Sequence, residues 1–394
     1  MESKKKMLTG NHAAAYGVKL ARVGVIPVFP ITPQTTIIEK LIEFISRKEM
    51  PAEYIPVESE HSAMAAAVGA EATAVRTFTA SASQGISYMH ENLFVPSGLR
   101  LPMVMVMVNR TMNPPIAGGP DHSDSMAQRD TGWIQIYVEN AQEILDMVIQ
   151  AYRIAEDKDV LLPVAICYEG MVISHFLEAV DIPDQSLVDE FLPPYNPKHV
   201  VLDTKNPMHI FVASDDYLPE YRYQQHLALE NAKKVIQQVD QQFKNKFNRG
   251  YGGLLSSYYM DGAKVAIVSL GSISNVVRMA VEGLRREGIE AGAIKLRAFR
   301  PFPGEALVKA LKDTELVIVL DRAVSLGFGG TVYPELVAVL YNLEPKPCVL
   351  DYIIGLAGRQ VTVPQLMSLV KDNIHALKTG KINKSVQWAG IRGL

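Results

Sequence analysis

The segment 55–69, IPVESEHSAMAAAVG, decides how the rest of the chain is interpreted. The apolar run 54–57 is typical of a short strand, and the alanine-rich stretch that begins at Glu60 predicts a helix. Glu60 is thus predicted at a strand-to-helix junction, where open α/β sheets bind ligands. A structural explanation competes, because Ser59 would cap the helix and a carboxylate in the first turn complements the helix dipole. This segment alone leaves both explanations open.

Length and composition bound the classes of protein to consider. The chain has 394 residues, of which 48% are hydrophobic and 21% charged, so two to three domains with a sizeable core are expected. The net charge is −3, and basic residues alternate with acidic ones along the chain. No electrostatic footprint for nucleic acid or a membrane surface results, and neither is expected as a partner.

The cysteine content and the N-terminus predict a cytoplasmic protein. Cys167 and Cys348 are isolated from each other in apolar contexts, and no CxxC pair occurs. Two separate thiols indicate a reducing compartment and are too few for an iron–sulfur cluster or a cysteine-type zinc site. The basic start MESKKKMLTG lacks the apolar stretch of a signal peptide, and no apolar run is long enough to span a membrane.

Alternating strand and helix patterns predict an α/β fold with a doubly wound parallel sheet. The continuous apolar run 101–109, LPMVMVMVN, is expected to be a central strand, and Asn11 to cap the first helix. The predicted domains are 1–170 and 262–394, joined by an extended connection, 171–261, with a long helix over 219–247. Further strands are predicted at 23–29, 76–79, 160–168, 263–271, 291–297, 315–321 and 348–353, and further helices at 34–47, 60–74, 141–156 and 332–342. The stretch SASQG (81–85) is predicted as a turn into a helix that ends near Pro96, and FRPFPG as a turn.

Three polar residues follow predicted strands of the first domain: Thr32 in the corner PITP (30–33), Glu60, and Arg110. Because the carboxyl ends of parallel strands share one edge of a sheet, these residues are expected to converge in one crevice. Each also has an ordinary explanation, as a turn hydroxyl, a capping carboxylate or a surface cation. An arginine at this edge would bind a carboxylate or phosphate through two parallel hydrogen bonds.

The other candidate sites are weaker, and no metal site is predicted. His90-Glu91 lacks the second histidine of HExxH, and the stretch 121–124, DHSD, has metal-ligand types without a partner cluster. His61 is either an active-site residue or helix surface. The turn LGSISN resembles a phosphate-binding turn, although Ser272 or Ser274 capping a helix explains it equally well. GFGG at 327–330 is too short for a dinucleotide-binding motif.

Several longer motifs, in order and spacing, resemble the alpha subunit of the 2-oxoacid:ferredoxin oxidoreductases, the pyruvate synthase group. The resemblance covers essentially the whole chain. It implies a pyrimidine-binding domain of the thiamine diphosphate fold followed by a transketolase C-terminal-like domain. The motifs are FPITPQTTIIEKL, PVESEHSAMAAAVGA, FTASASQG, VMVNR, DHSDSMAQRDTGWIQ, CYEG, YGGLLSSYYMDGAKVAIVSLGS and KLRAFRPFP.

The resemblance also implies roles for individual residues. Glu60 matches the glutamate that hydrogen-bonds the N1′ ring nitrogen of thiamine diphosphate and is the expected catalytic residue. Arg110 matches the residue that holds the 2-oxoacid carboxylate, and Thr32 a hydroxyl that contacts the same substrate. Pro30 and Ile31, in the PITP corner, are the other expected cofactor contacts.

The activity that the resemblance implies is oxidative decarboxylation of a 2-oxoacid with coenzyme A, which yields acyl-CoA and CO2 and reduces ferredoxin. The GDG motif that holds Mg²⁺ and the diphosphate in thiamine enzymes is absent from the sequence. The chain would therefore share its thiamine diphosphate with a beta subunit that binds Mg²⁺. A gamma subunit and a ferredoxin-like delta subunit with [4Fe–4S] clusters would complete the complex.

One departure from the family pattern bears on the substrate. Many relatives carry a tryptophan where this chain has residues 116–119, IAGG, which leaves the loop after Arg110 less crowded. Pyruvate is the favoured substrate, with a branched-chain 2-oxoacid or oxalate as alternatives. A beta-type subunit of a 2-oxoacid dehydrogenase, which uses lipoamide instead of ferredoxin, and a non-catalytic scaffold are the rival classes.

Overall fold

The computed structural model describes residues 4–197, 200–208, 214–382 and 385–393, in which strands and helices alternate along most of the chain. The helices are α1 (Gly10–Leu20), α2 (Thr35–Ser46), α3 (Glu60–Glu71), α4 (Ser83–Tyr88), α5 (His90–Gly98), α6 (Ser123–Met126), α7 (Ala141–Ala155), α8 (Gln185–Phe191), α9 (Leu218–Phe247), α10 (Ile273–Arg286), α11 (Gly304–Leu311), α12 (Tyr333–Leu340) and α13 (Val363–Lys378). The strands are β1 (Lys4–Leu8), β2 (Val25–Val28), β3 (Glu53–Pro56), β4 (Phe78–Ser81), β5 (Val104–Asn109), β6 (Ile134–Tyr137), β7 (Val164–Glu169), β8 (Glu178–Ile182), β9 (Leu255–Tyr258), β10 (Val265–Ser269), β11 (Ala291–Leu296), β12 (Ala298–Arg300), β13 (Leu316–Asp321), β14 (Val324–Ser325), β15 (Gly329–Gly330), β16 (Cys348–Ile353) and β17 (Val386–Trp388).

The first sheet has the strand order β12-β6-β7-β5-β4, and β6, β7, β5 and β4 are parallel. A parallel bridge between Val25 and Thr77 connects its β4 edge to the parallel pair β2–β3. The carboxyl ends of β2, β3, β4 and β5 therefore lie along one edge. The expected doubly wound parallel sheet is confirmed, and β5 is central in it, fully buried along its length.

The second sheet has the order β17-β16-β13-β10-β11-β9 and is parallel except for β9 at its edge. Strand β12 follows β11 in sequence, yet it pairs antiparallel with β6 of the first sheet. The turn FRPFPG predicted at this point thus begins with a strand that fastens the second domain to the first.

Side-chain alternation along β5 divides the interior into layers. Val104, Val106 and Val108 face a core formed with α1, α7 and α9. Met105 and Met107 face the opposite way, into a core shared with strands β10, β11 and β13 of the second sheet. Because this second core contains residues from both sheets, the two domains pack directly against each other. A third core lies under α10 and α13.

Several local predictions were wrong. Thr9, not Asn11, caps α1, and Asn11 is buried and hydrogen-bonded elsewhere. The strands that were missed are β1, β6, β8, β9, β12, β14, β15 and β17, and the helix predicted up to Pro96 is two helices, α4 and α5. The long helix of the connection, α9, packs into the core of the first domain through Ala228, Ala232, Val235 and Ile236. The domain boundaries at 170 and 262 stay a prediction.

Candidate functional site

Glu60 is the first residue of α3, directly after the corner that ends β3. Ser59 has an extended backbone and its hydroxyl accepts from the Ser62 N–H, so Ser59 caps α3 as predicted. The Glu60 side chain is 8% exposed, and across the described ranges no protein group donates a hydrogen bond to it. A buried carboxylate without a protein donor is costly, and the helix dipole offsets that cost only in part. Glu60 is therefore ready to accept a hydrogen bond from a bound group.

The turn 81–85, SASQG, brings Glu60 and Arg110 into one site. A Cβ atom at Gly85 would lie 2.6 Å from Glu60 Oε1 and would also overlap Ser81 Oγ. Only glycine can occupy this position while the carboxylate stays where it is. The next residue back, Gln84, accepts a hydrogen bond from Arg110 Nη2 at 2.9 Å. The turn contacts the carboxylate on one side and the guanidinium on the other.

Arg110 follows β5 and reaches across to the PITP corner. Its Nη1 donates to the backbone carbonyl of Thr32 at 2.6 Å, and its Nε is buried without a partner in the described part of the chain. Thr32 was expected to act through its hydroxyl. The structure shows that its carbonyl orients Arg110, whereas its side chain is exposed. The predicted convergence of Thr32, Glu60 and Arg110 at one sheet edge is thus present in the geometry.

The corner that contains Pro30 and Ile31 is held from below by Asn11. The Asn11 amide donates to Pro33 O at 2.7 Å, and its oxygen accepts from Tyr168 OH at 2.8 Å. Pro30 is exposed and Ile31 half-buried, so both can contact a bound molecule. Their role as cofactor contacts stays a prediction.

Asp124 in α6 is the buried carboxylate that holds this edge together. Its Oδ2 accepts from the backbone N–H groups of Ser83 and Arg110, at 2.8 and 3.0 Å. Its Oδ1 accepts from Asn109 Nδ2 at 2.7 Å and from the Ser125 N–H at 2.8 Å. Burial raises the pKa of Asp124, and the four donated hydrogen bonds oppose that rise. One side chain thereby fixes the start of α4 relative to the end of β5.

Glu169, at the end of β7, connects the domains. It is fully buried, and its Oε1 accepts from Arg322 Nη1 at 2.8 Å and contacts His122 Nε2 at 3.1 Å. The Ser272 N–H, at the start of α10, donates to the same carboxylate. Although burial alone would raise the pKa of Glu169, the His122 hydrogen bond and the charge of Arg322 lower it to about 2.

The contact between Glu169 and Ser272 corrects the interpretation of LGSISN. Neither serine caps α10 with its side chain, because Ser272 makes no capping bond and Ser274 Oγ pairs with Ser269 Oγ at 2.9 Å. The anion at this helix start is Glu169, so a phosphate is not needed there.

The histidine candidates lie outside the group formed by Glu60 and Arg110. His122 is buried at the domain interface against Glu169. His90 Nδ1 contacts Gln128 Oε1 at 2.5 Å on the other side of α5. His61 is on the exposed rim beside Tyr88, with ring centroids 5.8 Å apart. The described residues contain no group of three or more side chains suited to hold a metal ion.

Sequence reasoning missed Gln84, Asp124 and Glu169. All three belong to motifs that were recognised as whole stretches, FTASASQG, DHSDSMAQRD and CYEG, without a role for the polar residue within them. A polar residue that directly follows a buried strand was the available signal for Glu169 in CYEG. For Asp124, in a polar stretch without a predicted helix or strand, no local pattern pointed to burial.

None of the helices in the described ranges is both long enough and apolar enough to cross a lipid bilayer.

Comparison with known proteins identifies the family. Residues 16–241 match the family model for the pyruvate flavodoxin/ferredoxin oxidoreductase, thiamine diphosphate-binding domain, and residues 263–366 match that for pyruvate:ferredoxin oxidoreductase core domain II. The pyruvate synthase subunit PorA of Methanocaldococcus jannaschii is 46% identical over 390 residues, with 98% of both chains covered. The ketoisovalerate oxidoreductase subunit VorA of Pyrococcus horikoshii is 44% identical over the same length and coverage.

Among solved structures, the 2-oxoglutarate:ferredoxin oxidoreductase of Magnetococcus marinus superposes with a TM-score of 0.70 at 19% identity, covering 94% of this chain and 66% of that one. A split-gene transketolase superposes with a TM-score of 0.53 at 14% identity, covering 92% and 98%. These two similarities concern the fold. They confirm the expected fold class, a thiamine diphosphate-binding α/β fold together with a transketolase-like α/β domain. The full-length matches to PorA and VorA establish the family. The chain belongs to the pyruvate flavodoxin/ferredoxin oxidoreductase family, as an alpha subunit of a 2-oxoacid:ferredoxin oxidoreductase.

Proposed function

We propose that this chain forms the pyrimidine-side half of a thiamine diphosphate site in an enzyme that converts a 2-oxoacid and coenzyme A to acyl-CoA and CO2, with ferredoxin as electron acceptor. The observation that carries the proposal is the Glu60 carboxylate, buried at the edge of the parallel sheet with no protein donor among the described residues. Such an acceptor fits an N–H donor on a ligand, and the ring nitrogen N1′ of an aminopyrimidine becomes one when it is protonated, as in the imino tautomer that a carboxylate favours.

Glu60 would hold that ring nitrogen, and Pro30 and Ile31 would line the same pocket from the PITP corner. The cofactor, when bound, supplies the carbanion chemistry that decarboxylation of a 2-oxoacid needs. The task of Glu60 is to keep a negatively charged acceptor at a fixed position. Its place in the first turn of α3, behind the Ser59 cap and against Gly85, restricts its movement.

Arg110 would hold the carboxylate of the 2-oxoacid. Contacts with Thr32 O and Gln84 Oε1 fix its guanidinium before any substrate arrives, which reduces the entropy lost on binding. Thr32, next to the guanidinium, would contact the same substrate through its exposed hydroxyl.

A partner subunit would complete the site. The sequence has no GDG motif for Mg²⁺ and diphosphate, and two isolated cysteines cannot bind a [4Fe–4S] cluster. We infer that a beta subunit supplies the Mg²⁺-diphosphate half, and that gamma and ferredoxin-like delta subunits carry the clusters and the electron path to ferredoxin.

Pyruvate is the proposed substrate, and 2-oxoisovalerate is the second candidate. The second candidate is kept because the VorA relative is nearly as similar, at 44% identity, as the PorA relative at 46%. The loop at 116–119, IAGG, has no tryptophan, which would leave more room for a branched acid.

The test is anaerobic, coenzyme A-dependent viologen reduction by the native complex, captured through a tag on this chain and supplied with pyruvate, 2-oxoisovalerate, 2-oxoglutarate or oxalate. Glu60→Gln is expected to lower kcat by about 100-fold or more, because loss of a group in proton transfer costs that much. Arg110→Ala is expected to raise the KM for the 2-oxoacid steeply.

Glu58→Gln is the matched control, because Glu58 lies two residues away, is exposed and, among the described residues, accepts a side-chain hydrogen bond from the Ser62 hydroxyl alone. It should leave turnover unchanged. Near-full turnover in Glu60→Gln would remove Glu60 from the mechanism. Silence of a wild-type complex that retains its clusters and thiamine diphosphate, with every acid, would refute the proposed reaction.

A further inference from the structure

Of the two polar atoms in the Gln84 side-chain amide, only the oxygen has a hydrogen-bond partner among the described residues. Its Oε1 accepts from Arg110 Nη2 at 2.9 Å. Ser83 Oγ lies 2.6 Å from both Gln84 Oε1 and the Thr111 carbonyl oxygen, and its single proton can be donated to only one of them. Because a guanidinium can only donate, the oxygen of the amide must face Arg110, and the orientation of the side chain is settled by chemistry. The amide nitrogen therefore faces away from Arg110.

That nitrogen has no acceptor. Within the described ranges, Gln84 Nε2 is buried without a hydrogen-bond partner, and so is Arg110 Nε in the neighbouring side chain. Buried donors are nearly always satisfied in folded proteins, because an unpaired one loses its hydrogen bonds to water without a replacement. Gln84 and Arg110 hydrogen-bond each other, and each has one buried donor without a partner within the described ranges. These two donors indicate that an acceptor from outside this chain binds between them.

The position of the pair defines the chemistry of that acceptor. Arg110 Nε lies on the same edge of the guanidinium as Nη2, the edge that carboxylates use for two-point contacts. Gly85, the next residue after Gln84, packs on the Glu60 carboxylate. An acceptor at this place is thus close to the cofactor position and carries a negative charge.

We infer that Gln84 is a further substrate-binding residue, whose amide N–H group donates to the carboxylate of the 2-oxoacid beside Arg110. This inference rests on the proposed function. The substrate carboxylate would then contact two different groups. The Arg110 guanidinium provides a positive charge, and the neutral Gln84 amide provides a directional hydrogen bond.

A double-mutant cycle separates contact with substrate from mere orientation of Arg110. The complex is captured through a tag on this chain, and kcat/KM for pyruvate and 2-oxoisovalerate is measured for wild type, Gln84→Met, Arg110→Ala and the double variant. Gln84→Met alone is expected to lower kcat/KM by about tenfold or more through KM, since a hydrogen bond to a charged group is lost. The double variant is expected to fall several-fold below Arg110→Ala.

If Gln84 only orients Arg110, it has nothing left to orient once Arg110 is gone. Equal kcat/KM values for Arg110→Ala and the double variant would therefore overturn the inference. Bound thiamine diphosphate, measured on the same preparations, should be equal in all four, which shows that the site is folded. Ser87→Ala, on the same helix, is the control and should match wild type. A wild-type complex that is silent with both acids would overturn the proposed function and this inference with it.

Discussion

The carboxylate of Glu169, at the end of the first sheet, accepts a hydrogen bond from the backbone N–H of Ser272, at the first turn of α10 in the second domain. A Cβ atom at Gly271 would overlap this carboxylate, so the second domain approaches as closely as glycine allows. The same carboxylate pairs with Arg322 and contacts His122. The segment 120–124, which contains His122 and the start of α6 with Asp124, is thereby connected to the second domain.

Glu169→Gln should destabilise the chain strongly. It leaves the buried Arg322 cation without a countercharge, and breaking a buried pair in this way costs about 3–5 kcal/mol. The free energy of unfolding, from urea titration of the full-length chain, measures the loss. Glu43→Gln is the control, because its salt bridges to Lys40 and Arg47 are at the surface and should contribute little.

The stability difference between wild type and Glu169→Gln should depend on pH. The pKa of Glu169 is lowered from 4.5 to about 2 in the folded state, so the unfolded state takes up the proton first. The stabilisation is present above the unfolded pKa and is lost as pH falls through that interval. Unfolding measured between pH 6 and roughly 2 should show the two proteins converging in acid; a constant difference would exclude ionised Glu169 as the cause.

Gly85→Ala should reduce catalysis without a comparable loss of stability. The added methyl group would lie 2.6 Å from Glu60 Oε1 and would push the carboxylate out of position. A displaced acceptor is expected to cost about 100-fold in kcat. Gly69→Ala, on the same helix as Glu60, has open space at this position and should keep full activity with slightly higher stability. Full activity in Gly85→Ala would show that the position of Glu60 tolerates displacement.

Asp124→Asn should raise the KM for the 2-oxoacid by about tenfold, because it weakens charge-assisted hydrogen bonds to the backbone of Arg110. Both oxygens accept from two donors each, so an amide NH2 in either orientation would face donors. Asp121→Asn is the control. Asp121 accepts from Ser123 through Oδ1, and the amide oxygen of asparagine can accept the same hydrogen bonds. Equal KM values for the two variants would refute the positioning role of Asp124.

Asp351→Asn should stabilise the chain in alkaline solution and have little effect in mild acid. The buried carboxyls of Asp321 and Asp351 lie beside Gly329 and Gly330 of β15, and burial together with the charge of Asp351 raises the pKa of Asp321. A folded-state pKa above the unfolded value means that wild-type stability falls as pH rises through it. The melting temperature at pH 5 and pH 9 checks this, with Asp372→Asn, exposed on α13, as control.

The sequence predicted the local structure well where the signal is local. The hydrophobic run at β5, the Ser59 cap and the helical period of α2 each depend on a few neighbouring residues, and they survive in the fold. Strand β12 shows the opposite case. Its three residues, Ala298–Arg300, carry no strand pattern of their own and become a strand only because β6 lies beside them.

The same division applies to the site. The shared location of Glu60, Arg110 and Thr32 was predictable, because parallel strands place their carboxyl ends at one edge of the sheet whatever the details of packing. The hydroxyl role first expected for Thr32 missed its carbonyl contact with Arg110, since a sequence does not show which atom of a residue faces inward.

The sequence by itself determined the elements, the family motifs and the sheet edge at which the polar residues collect. Tertiary structure alone decided the partners: Gln84 with Arg110, Asp124 with the start of α4, and Glu169 with Ser272, the residue that precedes α10 and lies 103 residues later in the chain. The physical reason is that periodicity and capping are set by interactions within one or two turns of chain. A buried charge is instead stabilised by whichever donors the packed sheets bring within hydrogen-bond distance.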